Sequence, residues 1–401
     1  MVSFGPIHHG GEGLEQGEHY KRLWTSKFAA EYGKKTGRDT NEATQYLLKR
    51  IECIEELKEL FSEDALGLKY KDNYNLVWLL FVDGCSLLHF MENVDEHNPN
   101  ALNLMFDQLM YMWSDILLLE NQLPITLLKM LSKEKGTDLE YLLKNQAGMG
   151  KIKREKVEVK VTIQNQEYIH ILHYFRYVFL ETDDNNNACE EMAVNIDPSY
   201  GWHTYNNITD LKAVGIRVTA NKKGQWAWSN ISFTSKWLGG ELSLPVYLFN
   251  KDATPYFFWN LIAYEMCPDV ICNYECCSLF SFMDSLIDTA EDVKELRLAG
   301  VFINFLGSNQ DLANLFNDLG GDLRSKMYSN TMYTQGVAYD KRYIILKKHI
   351  QQHYQNKWKV WLALGYNTYF STPWAMIAFF AASVALILTF IQTWFTMFKS
   401  C

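Results

Sequence analysis

Apolar residues fall into two rhythms along this chain, and the change between them outlines the architecture. Up to Leu180 they recur at intervals of three and four, the period of a helix packed on one face. Residues 12–35 give a first helix, with Leu14, Tyr20, Leu23, Trp24, Phe28 and Tyr32 in its stripe and Gly33 and Gly37 ending it. Thr40 to Phe61 gives a second, with Tyr46, Leu47, Ile51, Ile54, Leu57 and Phe61 on one side. Asn75 to Phe90 is apolar nearly all round, so it is expected at the centre of the core. Ala101 to Glu120 follows, and a new helix is expected at Pro124, because proline disfavours helix at the residue before it. Residues 144–168 read as a surface connection, Tyr168 to Leu180 as a helix and Glu181 to Asn187 as a solvated loop.

From Gly215 the rhythm shortens. IRVTA, WAWSNISF and ELSLPVYLF are β-branched or aromatic and are separated by Lys-Lys-Gly and Gly-Gly. They predict a small antiparallel sheet at about 215–249. Helices return at Tyr256–Cys267, Tyr274–Ile287, Asp292–Leu298 and Asp311–Leu319, and a stripe from Tyr343 to Trp361 leads to the last segment. Ala375 to Phe398 has 24 residues and no charge. As a helix it would be ~36 Å long, enough to cross a hydrocarbon layer of about 30 Å. Pro373 suits a first turn, and Trp374 and Trp394 stand near the two ends, where indole favours the headgroup level. The pattern therefore predicts a mainly α (α+β) body over 1–340. A basic juxtamembrane helix over 341–372, a transmembrane helix over 373–398 and a short tail at 399–401 follow it.

Charge sharpens this division. The net charge is −9, yet no Asp or Glu follows Asp340, and seven Lys and Arg do, so residues 1–340 hold −16. An acidic body argues against nucleic acid as a partner, which is gripped through many Lys and Arg contacts to phosphate. The basic run before the last helix suits an anionic lipid surface. Residues 1–13 have neither the basic nor the apolar region of a secretory signal. Lys357 and Lys359 precede the span and Lys399 alone follows it, which predicts a C-terminal anchor with the body in the cytosol. The triplets Asn207-Ile208-Thr209 and Asn230-Ile231-Ser232 would be glycosylated only on a lumenal body. Eight cysteines are too sparse for a disulfide scaffold.

Several stretches carry a resemblance. Ser3-Phe4-Gly5-Pro6-Ile7-His8-His9-Gly10 opens the chain. Asp83-Gly84-Cys85 lies on the apolar helix, and Asp115-Ile-Leu-Leu-Leu-Glu120-Asn121-Gln122-Leu-Pro124 follows. Asp210-Leu211-Lys212, Leu244-Pro245, Asn260-Leu-Ile-Ala-Tyr-Glu265, Met283-Asp284, Asp292-Val293, Leu306-Gly307, Leu315-Phe316-Asn317 and Pro373-Trp374-Ala375 continue in order. Together they resemble the plant family called domain of unknown function 247. The resemblance implies single-pass membrane proteins largely without assigned biochemistry, some of them linked in grasses to gametophytic self-incompatibility. Members carry residues before the opening motif, so it also implies a truncated copy whose missing segment packs on the body.

Among chemical candidates, Asp83, Asp115 and Glu120 come first, as carboxylates on apolar helices. If those helices pack, the three could converge to hold a hard cation or perform acid–base chemistry. The competing reading is a polar network at a helix end, in which Glu120, Asn121 and Gln122 bond free backbone groups. His8 and His9 could ligate a metal, bind an anion or sit in a turn. Cys267, Cys272, Cys276 and Cys277 lack zinc spacing, and His349 and His353 are an i, i+4 pair on a basic helix. No nucleotide loop, nucleophile elbow or metalloprotease motif is present. The sequence therefore assigns no catalytic, cofactor or metal residue. It favours a membrane-anchored interaction or recognition protein that meets the bilayer through its last helix and an unknown protein partner through its body. A carboxylate-based enzyme is the alternative.

Overall fold

The computed structural model describes residues 1–51, 54–67, 70, 73–94, 102–132, 139–147, 168–180, 207–221, 228, 230–236, 239–250, 254–268, 270, 274–305, 307–334, 340–356 and 373–399. In chain order the helices are α1 Glu15–Thr36, α2 Thr40–Arg50, α3 Ile54–Lys58, α4 Glu63–Leu66, α5 Asn73–Asn93, α6 Phe106–Ile116, α7 Ile125–Ser132, α8 Leu139–Ala147, α9 Ile171–Leu180 and α10 Ile208–Ala213. Strands β1 Ile216–Ala220, β2 Ser232–Lys236, β3 Gly239–Leu244 and β4 Tyr247–Asn250 come next. Then follow α11 Thr254–Met266, α12 Glu275–Leu286, α13 Ala290–Leu298, β5 Phe302–Phe305, α14 Asn309–Thr334, α15 Lys341–Gln355 and α16 Pro373–Lys399. The protein is mainly helical with small sheets. Two compact units emerge, one of residues 1–181 and 250–276, the other of residues 182–249 and 277–401.

In the first unit α1 lies along α5, and α5 also meets α2, α7 and α8. Local chemistry starts and stops these helices. Asp39 accepts from the Glu42 N–H at 2.8 Å and Glu42 reaches back to the Asp39 N–H, a capping box for α2. α1 ends where Gly37 takes φ of 71°, a left-handed turn that glycine enters at little cost. The face of α1 turned inward comprises Gly17, Lys21, Trp24, Thr25, Phe28, Ala29, Tyr32 and Gly33. α5 is buried from Leu79 to Met91 without interruption, as its all-round apolarity predicts. At Gly84 an added Cβ would stand 2.5 Å from the Leu131 Cδ1, so the glycine lets α5 and α7 approach closely. Two helical expectations are corrected here. The helix expected from Thr40 to Phe61 stops at Arg50, where the Ile51 N–H turns back to the Leu48 carbonyl. The helix expected over Ala101–Glu120 runs only from Phe106 to Ile116, and Glu120 sits in a short 3-10 turn.

The second unit contains the sheet. β2 pairs antiparallel with β3, as expected, but β1 joins the other edge of β3 in parallel, Ile216 opposite Gly240, so the sheet is mixed. β4 leaves it and pairs with β5. There Phe249 meets Phe302 and Phe316 edge to face, and those two stack on each other, with centroids 4.9–5.9 Å apart. Asp292 joins α10 to α13. Its carboxylate accepts from the Thr209 N–H and hydroxyl and from the Thr289 N–H, and those bonds hold it below the usual carboxylate range although burial pushes it up. α16 is apolar, and its stretch Ile377–Thr396, exposed except at Ser383, is long and apolar enough to cross a membrane. α5 is also long and apolar enough, but it is mostly buried among its neighbours. Of the basic segment expected over 341–372, α15 covers Lys341–Gln355, and residues 357–372 lie outside the described set, as do the 181–187 loop and most of the 144–168 connection.

Candidate functional site

The residues flagged as chemical candidates in the first unit meet at one structure, the N-terminal segment. The Val2 N–H donates to Asp115 Oδ2 at 2.7 Å, the Phe4 N–H to Asn121 Oδ1 at 2.5 Å and the Gly5 N–H to Asp83 Oδ2 at 2.8 Å. In return, the Val2 carbonyl accepts from Asn121 Nδ2 at 3.0 Å, and the Ser3 carbonyl from Lys21 Nζ at 2.7 Å. Asn121 thus takes one N–H and one C=O two residues apart, the pattern by which a neighbouring strand would pair. Its carboxamide does the work of a peptide group. Gly5 has φ of 76°, and a Cβ on Gly17 would stand 2.5 Å from the Met1 carbonyl oxygen, so glycine on each side permits the approach.

Lys21 is fully buried within the apolar stripe of α1. Its three donors match three acceptors: Ser3 O, Asp83 Oδ1 at 2.6 Å and Glu18 Oε1 at 2.6 Å. Asp83 is fully buried as well. Burial pushes its carboxyl up to about 6, against the pull of Lys21 and the Gly5 N–H. Burial also raises Glu18, but hydrogen bonds from His9 and Lys21 outweigh it and leave Glu18 below its ordinary value. Tyr70 is pushed up to about 12 by burial and by the charges of Asp83 and Glu18. Burial raises Asp115, with the Val2 N–H opposing.

The block Glu120-Asn121-Gln122 explains why α6 stops. Asn121 Nδ2 caps the Asp115 carbonyl at 2.7 Å, and Gln122 Nε2 caps the Ile116 and Leu118 carbonyls, each at 2.7 Å. Gln122 Oε1 then accepts from the Leu172 N–H at the start of α9. Orphan groups at two helix ends are satisfied by one side chain. The Leu119 N–H donates to Asn260 Oδ1. Along the same helix, Glu265 accepts from Arg176 Nε at 2.7 Å and the Cys276 N–H at 2.9 Å. Glu120 itself points outward, its side chain 70% exposed, and meets His8 Nε2 at 2.9 Å.

The three carboxylates therefore do not share one point. Their partners are Val2, Gly5 and His8, spaced along the segment they hold. His9 faces Glu18 at 3.6 Å. Cys276 and Cys277 are buried, Cys267 is partly exposed, and Cys272 lies outside the described residues. His349 is exposed, whereas His353 is buried in the second unit against Phe233 and bonds Ser235 Oγ at 2.9 Å, so the pair does not face one ligand. Lys21 escaped the sequence reading. The available signal was its place four residues from Gly17 and Thr25 and seven from Phe28 in the buried stripe, together with a buried Asp83 in need of a cation.

The profile of DUF247, described as plant protein of unknown function, matches residues 1–388. The UPF0481 protein At3g47200 of Arabidopsis thaliana is 24% identical over 98% of this chain and 81% of its own length. The putative UPF0481 protein At3g02645 of the same plant is 26% identical over 56% of this chain, which spans 40% of that protein. No solved structure matches.

Proposed function

We propose that this chain, which belongs to the plant family of unknown function DUF247, is a membrane-anchored interaction protein whose body meets a protein partner from the cytosolic side. The observation that carries the reading is the use made of its polar motifs. Asp83, Asp115, Asn121, Gln122 and Lys21 bond peptide groups of the N-terminal segment or of helix ends. A body braced from within in this way holds a fixed shape, which suits recognition. A carboxylate-based enzyme would need Asp83, Asp115 or Glu120 turned to a substrate, and backbone donors already bond the first two. The exposed apolar α16 supports the anchor, and the excess of Lys before it supports a cytosolic body.

The test is to express the full chain in plant cells with a tag ahead of residue 1. The membrane fraction is then treated with alkaline carbonate and, separately, with protease. The expected result is a chain that resists carbonate, loses its body to protease added from the cytosolic side, and carries no glycan on Asn207 or Asn230. Release by carbonate would remove the anchor from the proposal, and glycans on the body would reverse its orientation. Turnover of any small molecule by the purified chain, lost on Asp115→Asn, would replace interaction with catalysis.

A further inference from the structure

Away from the N-terminal segment, α1 and α5 bring together a second group that the network does not use. Glu31 on α1 and His89 and Glu92 on α5 place one ligand-type atom each within 4.8 Å of one another. His89 and Glu92 are three residues apart and so share a face of α5, and Glu31 approaches from the facing helix. The His89 ring is buried, while the side chain of Glu31 is 43% exposed, which leaves an entry from solvent. Glu31 Oε1 stands 3.9 Å from His89 Nδ1. That gap exceeds a hydrogen bond and falls in the ~3–4 Å range that separates two ligands sharing one ion at about 2.1 Å from each.

We infer that Glu31, His89 and Glu92 form a binding site for a divalent transition-metal cation of the zinc class. Two considerations favour a cation there. The site lies at the C-terminal end of α5, where the last carbonyls carry partial negative charge, and the last turn holds Glu92 and no basic residue. The donor set is one imidazole and two carboxylates, which suits zinc, cobalt or manganese better than calcium or magnesium, whose ligands are oxygen alone. Asn93 Nδ2 donates to the His89 carbonyl at 2.8 Å and to His89 Nδ1 at 3.3 Å, and a metal on Nδ1 would displace the second, longer bond. Drawing the three ligands onto one ion requires carboxylate shifts of roughly 1 Å, within the reach of glutamate rotamers. Bound metal would then clamp α1 to α5 across the main interface of the first unit.

The test uses the full chain, purified in detergent and stripped with EDTA, and titrated with Co2+ and with Zn2+. The expected outcome is one equivalent of Co2+ with the visible bands of a low-symmetry site, displaced by Zn2+ and untouched by Mg2+. Glu31→Gln and Glu92→Gln, both at partly exposed positions, should each weaken binding at least about tenfold with the thermal melt of the metal-free chain retained. His89→Gln should abolish it. Co2+ uptake that both glutamate variants leave unchanged would place the ion elsewhere and overturn the inference. So would absence of stoichiometric uptake.

Discussion

Breaking the buried pair between Lys21 and Asp83 is the sharpest test of the account given for the N-terminal segment. Both side chains are fully buried and stand 2.6 Å apart. Replacing Lys21 by Met keeps the stem volume and removes the charge, so Asp83 is left in the interior with the Gly5 N–H as its remaining donor among the bonds described above. Loss of one partner of a buried pair costs about 3–5 kcal/mol, because the other charge remains desolvated. Asp83→Asn is expected to cost less, about 2 kcal/mol, since Lys21 keeps Glu18 and the Ser3 carbonyl. The double variant leaves no unpaired charge from the pair and still offers an acceptor to Gly5. Its cost should fall at least about 2 kcal/mol short of the sum of the two single changes. Acidity adds a second signature. Asp83 titrates at about 6 in the folded chain, against 3.8 for an ordinary aspartate. Between those values the folded state keeps a proton that the unfolded chain releases, so this group's contribution is greatest at low pH and declines as pH rises through about 6. Without Lys21 the carboxyl moves higher still, and Lys21→Met should lose more stability at about pH 8 than at about pH 5. Urea unfolding followed by tryptophan fluorescence reads both effects. If the two single costs simply add, or if Lys21→Met costs under about 1 kcal/mol, the pair is not the buried, coupled unit described here.

Other expectations follow from the same geometry. Asn121→Ala strands the Phe4 N–H and the Val2 carbonyl, takes one of the bonds to the Asp115 carbonyl and should cost about 2–3 kcal/mol in urea, whereas Glu120→Gln next door, on an exposed side chain, should stay within about 0.5 kcal/mol. Equal effects at the two positions would contradict the division of labour drawn between them. Gly84→Val should destabilise the first unit by about 2 kcal/mol or more through collision with Leu131, and an unchanged unfolding midpoint would refute close contact of α5 with α7. His170 is lowered to about 4 by burial, with His173 adding to it. Between about 6.5 and 4 the unfolded chain takes up a proton that the folded chain refuses, so stability should fall by about 2 kcal/mol as pH drops through that window. His170→Gln should flatten the slope, and an unaltered slope would assign the acid sensitivity to another group.

What could be read in the sequence, and what could not, follows from how local each signal is. The centrality of α5 and the exposure of α16 were legible because apolarity on all sides suits a protein core or a lipid core, and although both helices are long enough to cross a membrane, only the last segment is free of charge with Trp374 and Trp394 near its ends. The Glu120-Asn121-Gln122 block was legible as a helix-end network, since amides before Pro124 sit where carbonyls lose their partners. The role of Lys21 was hidden. Leu23 and Tyr20 look like the stripe of α1, yet Leu23 faces outward, and a lysine turns inward only because an aspartate 62 positions away receives it. Strand β5 was missed because four residues, Phe-Ile-Asn-Phe, make a strand only when β4 supplies the pairing. The parallel pairing of β1 with β3 was likewise invisible, as nothing in either strand encodes which edge the other will choose.

The way Val2 to Gly5 is held sets unequal limits on how this region can vary. The described bonds there reach the peptide groups of Val2, Phe4 and Gly5 and the carbonyls of Val2 and Ser3, and few reach side chains. Peptide groups are common to every amino acid. The segment is therefore read by its length and curvature more than by its lettering. Many residues could replace Val2 without touching a bond, while the insertion of one residue would set each donor opposite the wrong acceptor from Asp115 to Asp83. The body acts on this segment as a ruler.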